Sequence, residues 1–247
     1  MKAAVWETAG VTHEGRQRPH NEDAWVARAD AGLWMVADGM GGHAAGDIAS
    51  RLVADAVQAL DGQADLPALV DRLDDALTRT NVEIRAYADR HLEGRTMGCT
   101  VVSLLAQGDV GVCLWAGDSR LYRLRAGELL QVSRDHDPFQ DLVERGALTP
   151  EEADARPEAS VITRAVGAQP ELHLDLMAFD TAPGDVLLLC SDGLYRELSG
   201  EEIARHLGAA QSVQEIAQAM LDGALDRGAR DNVTVIVIRR LDGRGSP

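Results

Sequence analysis

"MGCTVVSLLAQGDVGVCLWAGDSRLYRLRAGELLQVS", residues 97–133, decides the fold class. It holds four short β-rich runs: MGCTVVSLLAQ, DVGVCLWAGD, RLYRLRAG and ELLQVS. Turn residues such as Gly108-Asp109 and Ala126-Gly127 separate them. Gaps this short leave no room for a crossover helix, so consecutive strands must pair as an antiparallel meander.

The same reading extends outward on both sides. Upstream, EDAWVAR (22–28) and GLWMVAD (32–38) predict a hairpin turning at Asp30 and Gly32. Between hairpin and meander the apolar period becomes helical. Ile48, Leu52, Val53, Ala56 and Leu60 mark one helix over 43–60. Pro67 opens a second, with Leu69, Val70, Leu73, Leu77, Val82, Ile84 and Tyr87 as its stripe. Downstream, residues 137–170 are polar and broken by Gly and Pro, which predicts one or two short helices in a mobile excursion. LHLDLMAFD and DVLLLCSD return to strand, 200–228 holds two helices, and NVTVIVIRRL is a last strand. Strands grouped antiparallel, with helices grouped between them, give an α+β fold: stacked antiparallel sheets flanked by helices. No repeat or low-complexity linker divides the chain. The expectation is therefore one domain over 1–241, with 242–247 as a disordered tail.

Composition narrows the function. Of 247 residues, 45% are hydrophobic and only 4% aromatic, so the core must be mostly Val, Leu, Ile and Ala. Forty Asp plus Glu against 24 Lys plus Arg give a net charge of -16. That balance argues against nucleic-acid and anionic-membrane partners and is compatible with divalent cations. The start, MKAAVWETAG, carries no apolar stretch of signal-peptide length, and no uncharged run approaches a membrane span. Cys99, Cys113 and Cys190 lie in apolar strand runs, as buried small hydrophobes of a reducing compartment do, and no zinc-like Cys/His spacing occurs. A cytoplasmic protein is expected.

Chemistry gathers at strand ends. In VADGMGGHAAGDIAS (36–50), Asp38 sits at a strand tip among Gly39, Gly41 and Gly42. A phosphate loop would carry a lysine here, whereas an acid suggests a cation. An ordinary strand-to-helix turn capped by Asp is the plain alternative. Asp118 follows a strand in LWAGDSR, Asp192 follows another in VLLLCSDGL, and Asp231 precedes the last in GARDNVTVIVI. Glu22 and Asp23 head the first hairpin in RPHNEDAW. One such acid is usually a turn former. Several, each bordering a core strand, would repel unless a cation neutralised them. Oxygen-only donors suit Mg²⁺ or Mn²⁺, and two such ions are the arrangement that hydrolyses phosphate esters. Arg18, close in sequence to these acids, can bind phosphate oxygens bidentately, and Arg16 is a neighbouring candidate; a solvated surface arginine is the other reading of each.

These stretches, in order, resemble the metal-dependent serine/threonine protein phosphatases, the PPM or type-two-C family. The resemblance rests on RPHNED, VADGMGGHAAG, TMGCTVV, WAGDSRLYRLRAG, VITRAVG, LLLCSDGL and RDNVTVIVI, and spans almost the whole chain. It implies a four-layer α-β-β-α sandwich and hydrolysis of phosphoserine and phosphothreonine by a metal-activated water. It further implies that Asp38 bridges two Mn²⁺ or Mg²⁺ ions and that the Gly39 carbonyl ligates one. Asp192 and Asp231 would hold the other ion, and Glu22 or Asp23 would contact the ion on the Gly39 side. Asp118 would help hold a third, weaker ion, and Arg18 would bind phosphate. Residues 137–165 would form the flap, and Asn232 would support the ligands by hydrogen bonding. Implied partners are phosphorylated proteins, a cognate Ser/Thr kinase and its targets, met by a monomer. One departure stands out: some members carry a histidine where this chain has Met40, and His43 need not replace it, so the general acid is unassigned. Two rivals remain. CSDGLYR, Cys190 to Arg196, fits the Cys-x₅-Arg loop of cysteine-dependent phosphatases. A pseudophosphatase would bind phosphoproteins without hydrolysis, but would be expected to lack metal acids that are present here.

Overall fold

The computed structural model describes residues 5–41, 45–93, 95–139, 142–143, 145–149, 152 and 161–242. Two antiparallel sheets stack between helices. The first sheet contains β1 (Val5–His13), β7 (Arg120–Arg125), β8 (Glu128–Gln131), β10 (Val186–Cys190) and β11 (Val233–Leu241), in the order β1-β11-β10-β7-β8. The second contains β2 (Asp23–Arg28), β3 (Leu33–Met40), β5 (Val101–Gln107), β6 (Val110–Ala116) and β9 (Asp175–Asp180), in the order β2-β3-β5-β6-β9. A short β4 (Gly98–Cys99) pairs with the end of β3.

The continuous apolar runs are explained by burial on both faces. Along β10, Leu187 and Leu189 enter the layer between the sheets, where Trp34, Trp115 and Ile236 also pack. Leu188 and Cys190 point the other way, into a layer closed by Ile203, Ile216 and Met220. Those three come from helices α4 (Gly200–Leu207) and α5 (Val213–Asp226), which follow the single-turn α3 (Asp192–Tyr195). Capping boxes start both longer helices, Ser199 with Glu202 and Ser212 with Glu215. On the second sheet, Leu33, Met35 and Ala37 pack against α1 (Ala45–Gln58) and α2 (Leu66–His91) through Val53, Leu73, Leu77 and Ile84. Among the described residues no helix is long and apolar enough to cross a membrane.

Three differences from the sequence reading have physical causes. β1 carries no clear sequence signal: among the described residues it pairs with β11 alone, at the edge of its sheet, and of its residues Ala9 alone is buried, so alternation is faint. Val82 is 59% exposed, because five residues beyond Leu77 is about 140° around the helix from the buried stripe. β3 runs on to Met40 instead of stopping at Asp38, because β4 pairs with its end. The first helix is described from Ala45, leaving His43 outside the described residues, as are 243–247 and much of the 137–165 segment.

Candidate metal centre

Antiparallel pairing brings the strand-end acids to one end of the sandwich. The β2–β3 register sets Asp23 directly opposite Asp38. Like charges at facing positions repel, so this pairing calls for compensation. In the other sheet, Cys190 pairs with Val235, which places Asp192 after β10 and Asp231 before β11 at the same end. Asp118 follows β6, two strands from β3, and the Thr100 N–H donates to the Asp38 carbonyl at 2.8 Å.

Asp23 joins the sheets. Its Oδ2 accepts from Ser191 Oγ at 2.8 Å and Thr234 Oγ1 at 2.6 Å, while its Oδ1 is buried and meets no donor among the described residues. Ser191 caps no helix N–H despite its position before α3, since its hydroxyl serves Asp23 instead. Asp192 Oδ2 pairs with Arg196 Nε at 2.9 Å, and its Oδ1 is buried without a partner. Asp118 repeats the pattern. Its Oδ2 accepts from the Tyr195 hydroxyl at 3.2 Å and lies 3.5 Å from Arg196 Nη2, with Oδ1 buried and unpartnered. Asp231 Oδ2 meets Arg18 Nη2 at 2.6 Å, and Oδ1 accepts the Asn232 N–H at 2.9 Å.

Gly39 is required by space rather than by a left-handed backbone. A Cβ there would stand 2.3 Å from the Gly46 carbonyl oxygen and 2.5 Å from that of Glu22. The first turn of α1 therefore packs directly on the strand end. Asn232 organises the loop that carries Glu22 and Arg18. Its Oδ1 accepts from the Glu22 N–H at 2.8 Å, and its Nδ2 donates to the carbonyls of Glu14 and His20, both at 2.9 Å. Arg16 is not part of this cluster: its Nε donates to the Leu225 carbonyl at 2.8 Å, at the end of α5.

The electrostatics follow from this crowding. Burial, then the charges of Asp23, Asp192, Asp118 and Asp231, hold the Asp38 carboxyl well above its ordinary range. Burial pushes Asp118 and Asp192 to about 6, against partial relief from Arg196. Burial also raises Asp23 to about 6, though the Thr234 and Ser191 hydroxyls favour its charged form. Glu22 is raised by burial as well. Among the described residues, no three His, Cys, Asp or Glu side chains already close on one point as a cation cage. The donor set nevertheless fits hard divalent ions. It is all oxygen, it is under-neutralised, and three of its buried carboxylate oxygens have no donor among the described residues. Carbonyls and water complete the coordination of such ions, so pairs of carboxylates suffice.

Cys190 does not fit a nucleophile. It is fully buried among helix-facing side chains, and burial pushes its thiol up to about 12. Arg196, which completed the Cys-x₅-Arg pattern, instead binds Asp192 and Asp118. Sequence reading gave Ser191, Thr234 and Tyr195 no role and placed Arg196 only in the Cys-x₅-Arg pattern. Only Arg196 had a readable signal, four residues after Asp192 at the start of a helix.

A four-layer sandwich with clustered acids at one end of its strands is thus the class the fold defines. A family model for Protein phosphatase 2C matches residues 9–227, and the chain belongs to that family. It is 39% identical over 238 residues to the serine/threonine protein phosphatase PstP of Mycobacterium tuberculosis (strain ATCC 25618 / H37Rv), covering 96% of this chain and 46% of PstP. The chain therefore spans about half the length of that relative. It is 33% identical over 237 residues to the serine/threonine phosphatase stp of Listeria monocytogenes (strain ATCC BAA-679 / EGD-e), covering 93% of this chain and 94% of stp. Among solved structures, the PstP catalytic domain in complex with 2 manganese ions superposes with a TM-score of 0.87 at 38% identity, covering 97% of this chain and 100% of that one.

Proposed function

We propose that this chain hydrolyses phosphoserine and phosphothreonine in proteins, using two Mn²⁺ or Mg²⁺ ions held by its strand-end carboxylates. The observation that carries this reading is the set of buried, donor-less oxygens on Asp23, Asp118 and Asp192 around Asp38. Asp38 and the Gly39 carbonyl, with Glu22 or Asp23, would serve one ion. Asp38, Asp192 and Asp231 would serve the other, and Asp118 a third, weaker one. When bound, the ions supply Lewis acidity for attack of water on phosphorus and neutralise the acids.

The chain's own residues do the rest. Arg18 is half exposed and pairs with Asp231. With Asp231 serving a cation, Arg18 would be free to donate to two oxygens of a phosphate. Asn232 holds the Glu22 backbone and the Arg18 loop in register with Asp231. Met40 has no proton to give, so protonation of the leaving serine or threonine oxygen is assigned to no residue. Phosphorylated proteins, among them a cognate kinase and its targets, are the proposed substrates, met in the cytoplasm.

The test is hydrolysis of a phosphothreonine peptide after exhaustive chelation, then Mn²⁺ add-back. Activity should vanish and return. Undiminished turnover in excess chelator would sink the reading.

A further inference from the structure

Asp135 and His136 are buried, at 8% and 7% exposure, and belong to none of the acids described above. His136 grips Gly117 from two directions. Its backbone N–H donates to the Gly117 carbonyl, and its Nδ1 accepts the Gly117 N–H, both at 3.0 Å. Accepting at Nδ1 leaves Nε2 to donate, and Nε2 faces Asp175 Oδ2 at 3.2 Å. The ring also stacks on Trp115. Gly117 directly precedes Asp118 and has a left-handed φ of 116°, so its backbone depends on these contacts rather than on a side chain.

Asp135 reaches Asp118 from the other side. Its carboxylate binds the buried Arg120 guanidinium at Nε (2.9 Å) and Nη2 (2.6 Å). That guanidinium lies 3.6 Å over the Tyr195 ring, and the Tyr195 hydroxyl donates to Asp118 Oδ2. One buried Asp-His pair thus fixes both the backbone before Asp118 and the hydroxyl on one of its oxygens, leaving Oδ1 bare. The His136 carbonyl further accepts the Thr163 N–H at 2.7 Å and its hydroxyl at 2.9 Å, tying in the chain beyond the 137–162 segment.

We propose that Asp135 and His136 are positioning residues that aim the Asp118 carboxylate for a cation. This rests on the metal-dependent reading given above. It is separable from that reading because Asp118 serves the weakest of the proposed ions. The experiment is a calorimetric Mn²⁺ titration of metal-stripped protein, with melting temperature recorded for each variant. His136→Phe keeps a ring against Trp115 but removes the acceptor of the Gly117 N–H. It should weaken the low-affinity Mn²⁺ site about tenfold or more, the effect typical of altering a ligand's support, and leave the tight sites unchanged. His136→Asn can present an oxygen where Nδ1 stands and should restore the weak site. Tyr195→Phe keeps the ring under Arg120 and removes only the hydroxyl. It should shift the same site in the same direction, and it decides the matter if His136→Phe does not fold. Titrations indistinguishable from wild type for folded His136→Phe and Tyr195→Phe would overturn the inference, as would equal weakening of every site. Absence of any Mn²⁺ binding by the wild-type chain would instead overturn the metal-dependent reading and this inference with it.

Discussion

Strand β10 carries an aspartate near each end, and the two ends treat it differently. Asp185, just before the strand, is 1% exposed and fully answered. Arg125 binds both its oxygens, at 2.7 and 2.8 Å, and the Ala182 N–H donates to Oδ2 at 2.8 Å. Asp192, beyond the other end, is also buried, yet one oxygen has Arg196 and the other has no partner among the described residues. The Asp185 end carries other ion pairs as well, Arg125 with Asp180 and Arg240 with Asp109, but both of those acids are exposed, and Arg240 Nε is buried without a partner among the described residues. Burying a charge is tolerable when its hydrogen bonds are complete, and costly otherwise. An unmatched buried acid persists only where something else completes it. Shape is a poorer guide. A cavity of about 520 Å³ lies at the Asp185 end, lined by Leu124, Gly184, Leu207 and Arg239 among others, and no carboxylate lines it.

The contrast breaks most sharply under paired substitutions. Asp192→Asn should lower the rate at saturating Mn²⁺ about a hundredfold or more, beyond the usual cost of altering a ligand's support. The fold should survive. Asp185→Asn should do the opposite. Breaking a buried pair costs about 3 kcal/mol here, at the low end because Arg125 remains 33% exposed, while turnover per folded molecule holds. Urea midpoints and steady-state rates on both variants check this. Equal rate losses would mean that the two ends are not functionally distinct.

A smaller effect separates the ends by pH. In metal-free protein Asp118 stands at about 6 against an ordinary 3.8, so the folded state binds more protons than the unfolded chain across that window. Stability due to this group therefore falls as pH rises from about 4 to about 6, and the full penalty applies above 6. Asp118→Asn removes it. In chelator the variant should exceed wild type by on the order of 2–3 kcal/mol at pH 7 and lose that advantage near pH 4. Denaturation of both proteins across this range is the measurement. A variant less stable than wild type at pH 7 would show that Asp118 is matched after all.

Much of this was legible in the chain. Short turns forced the antiparallel meander, and the turn at Asp30 and Gly32 between EDAWVAR and GLWMVAD located the hairpin. Asp38, Asp118, Asp192 and Asp231 were visible as acids bordering apolar runs. What could not be read was which oxygens would lack a donor. Asp185 and Asp192 flank the same VLLLCS run, and the local sequence does not show that Asp185 will be fully matched, because its partner lies 60 residues away. Asp23 depends on Ser191 and Thr234, 168 and 211 residues distant. β1 escaped notice because an edge strand half in water has no clean period.

The smallest expected effect tests whether proximity to the acids is enough to confer function. Cys190 ends β10, two residues before Asp192, so position alone would assign it to the reactive end. Its surroundings assign it elsewhere. The side chain is fully buried on the helix-facing side with Leu188, Ile216 and Met220, and burial pushes its thiol up to about 12. A thiol held neutral is a poor nucleophile. Cys190→Ser should therefore cost about 1–3 kcal/mol, the penalty of burying a hydroxyl among apolar groups, and change the rate at saturating Mn²⁺ little. Thermal melts and steady-state rates on the one variant decide it. A Cys190→Ser protein that melts like wild type but has lost turnover would place the nucleophile on sulfur. The unmatched carboxylates would then need a different explanation.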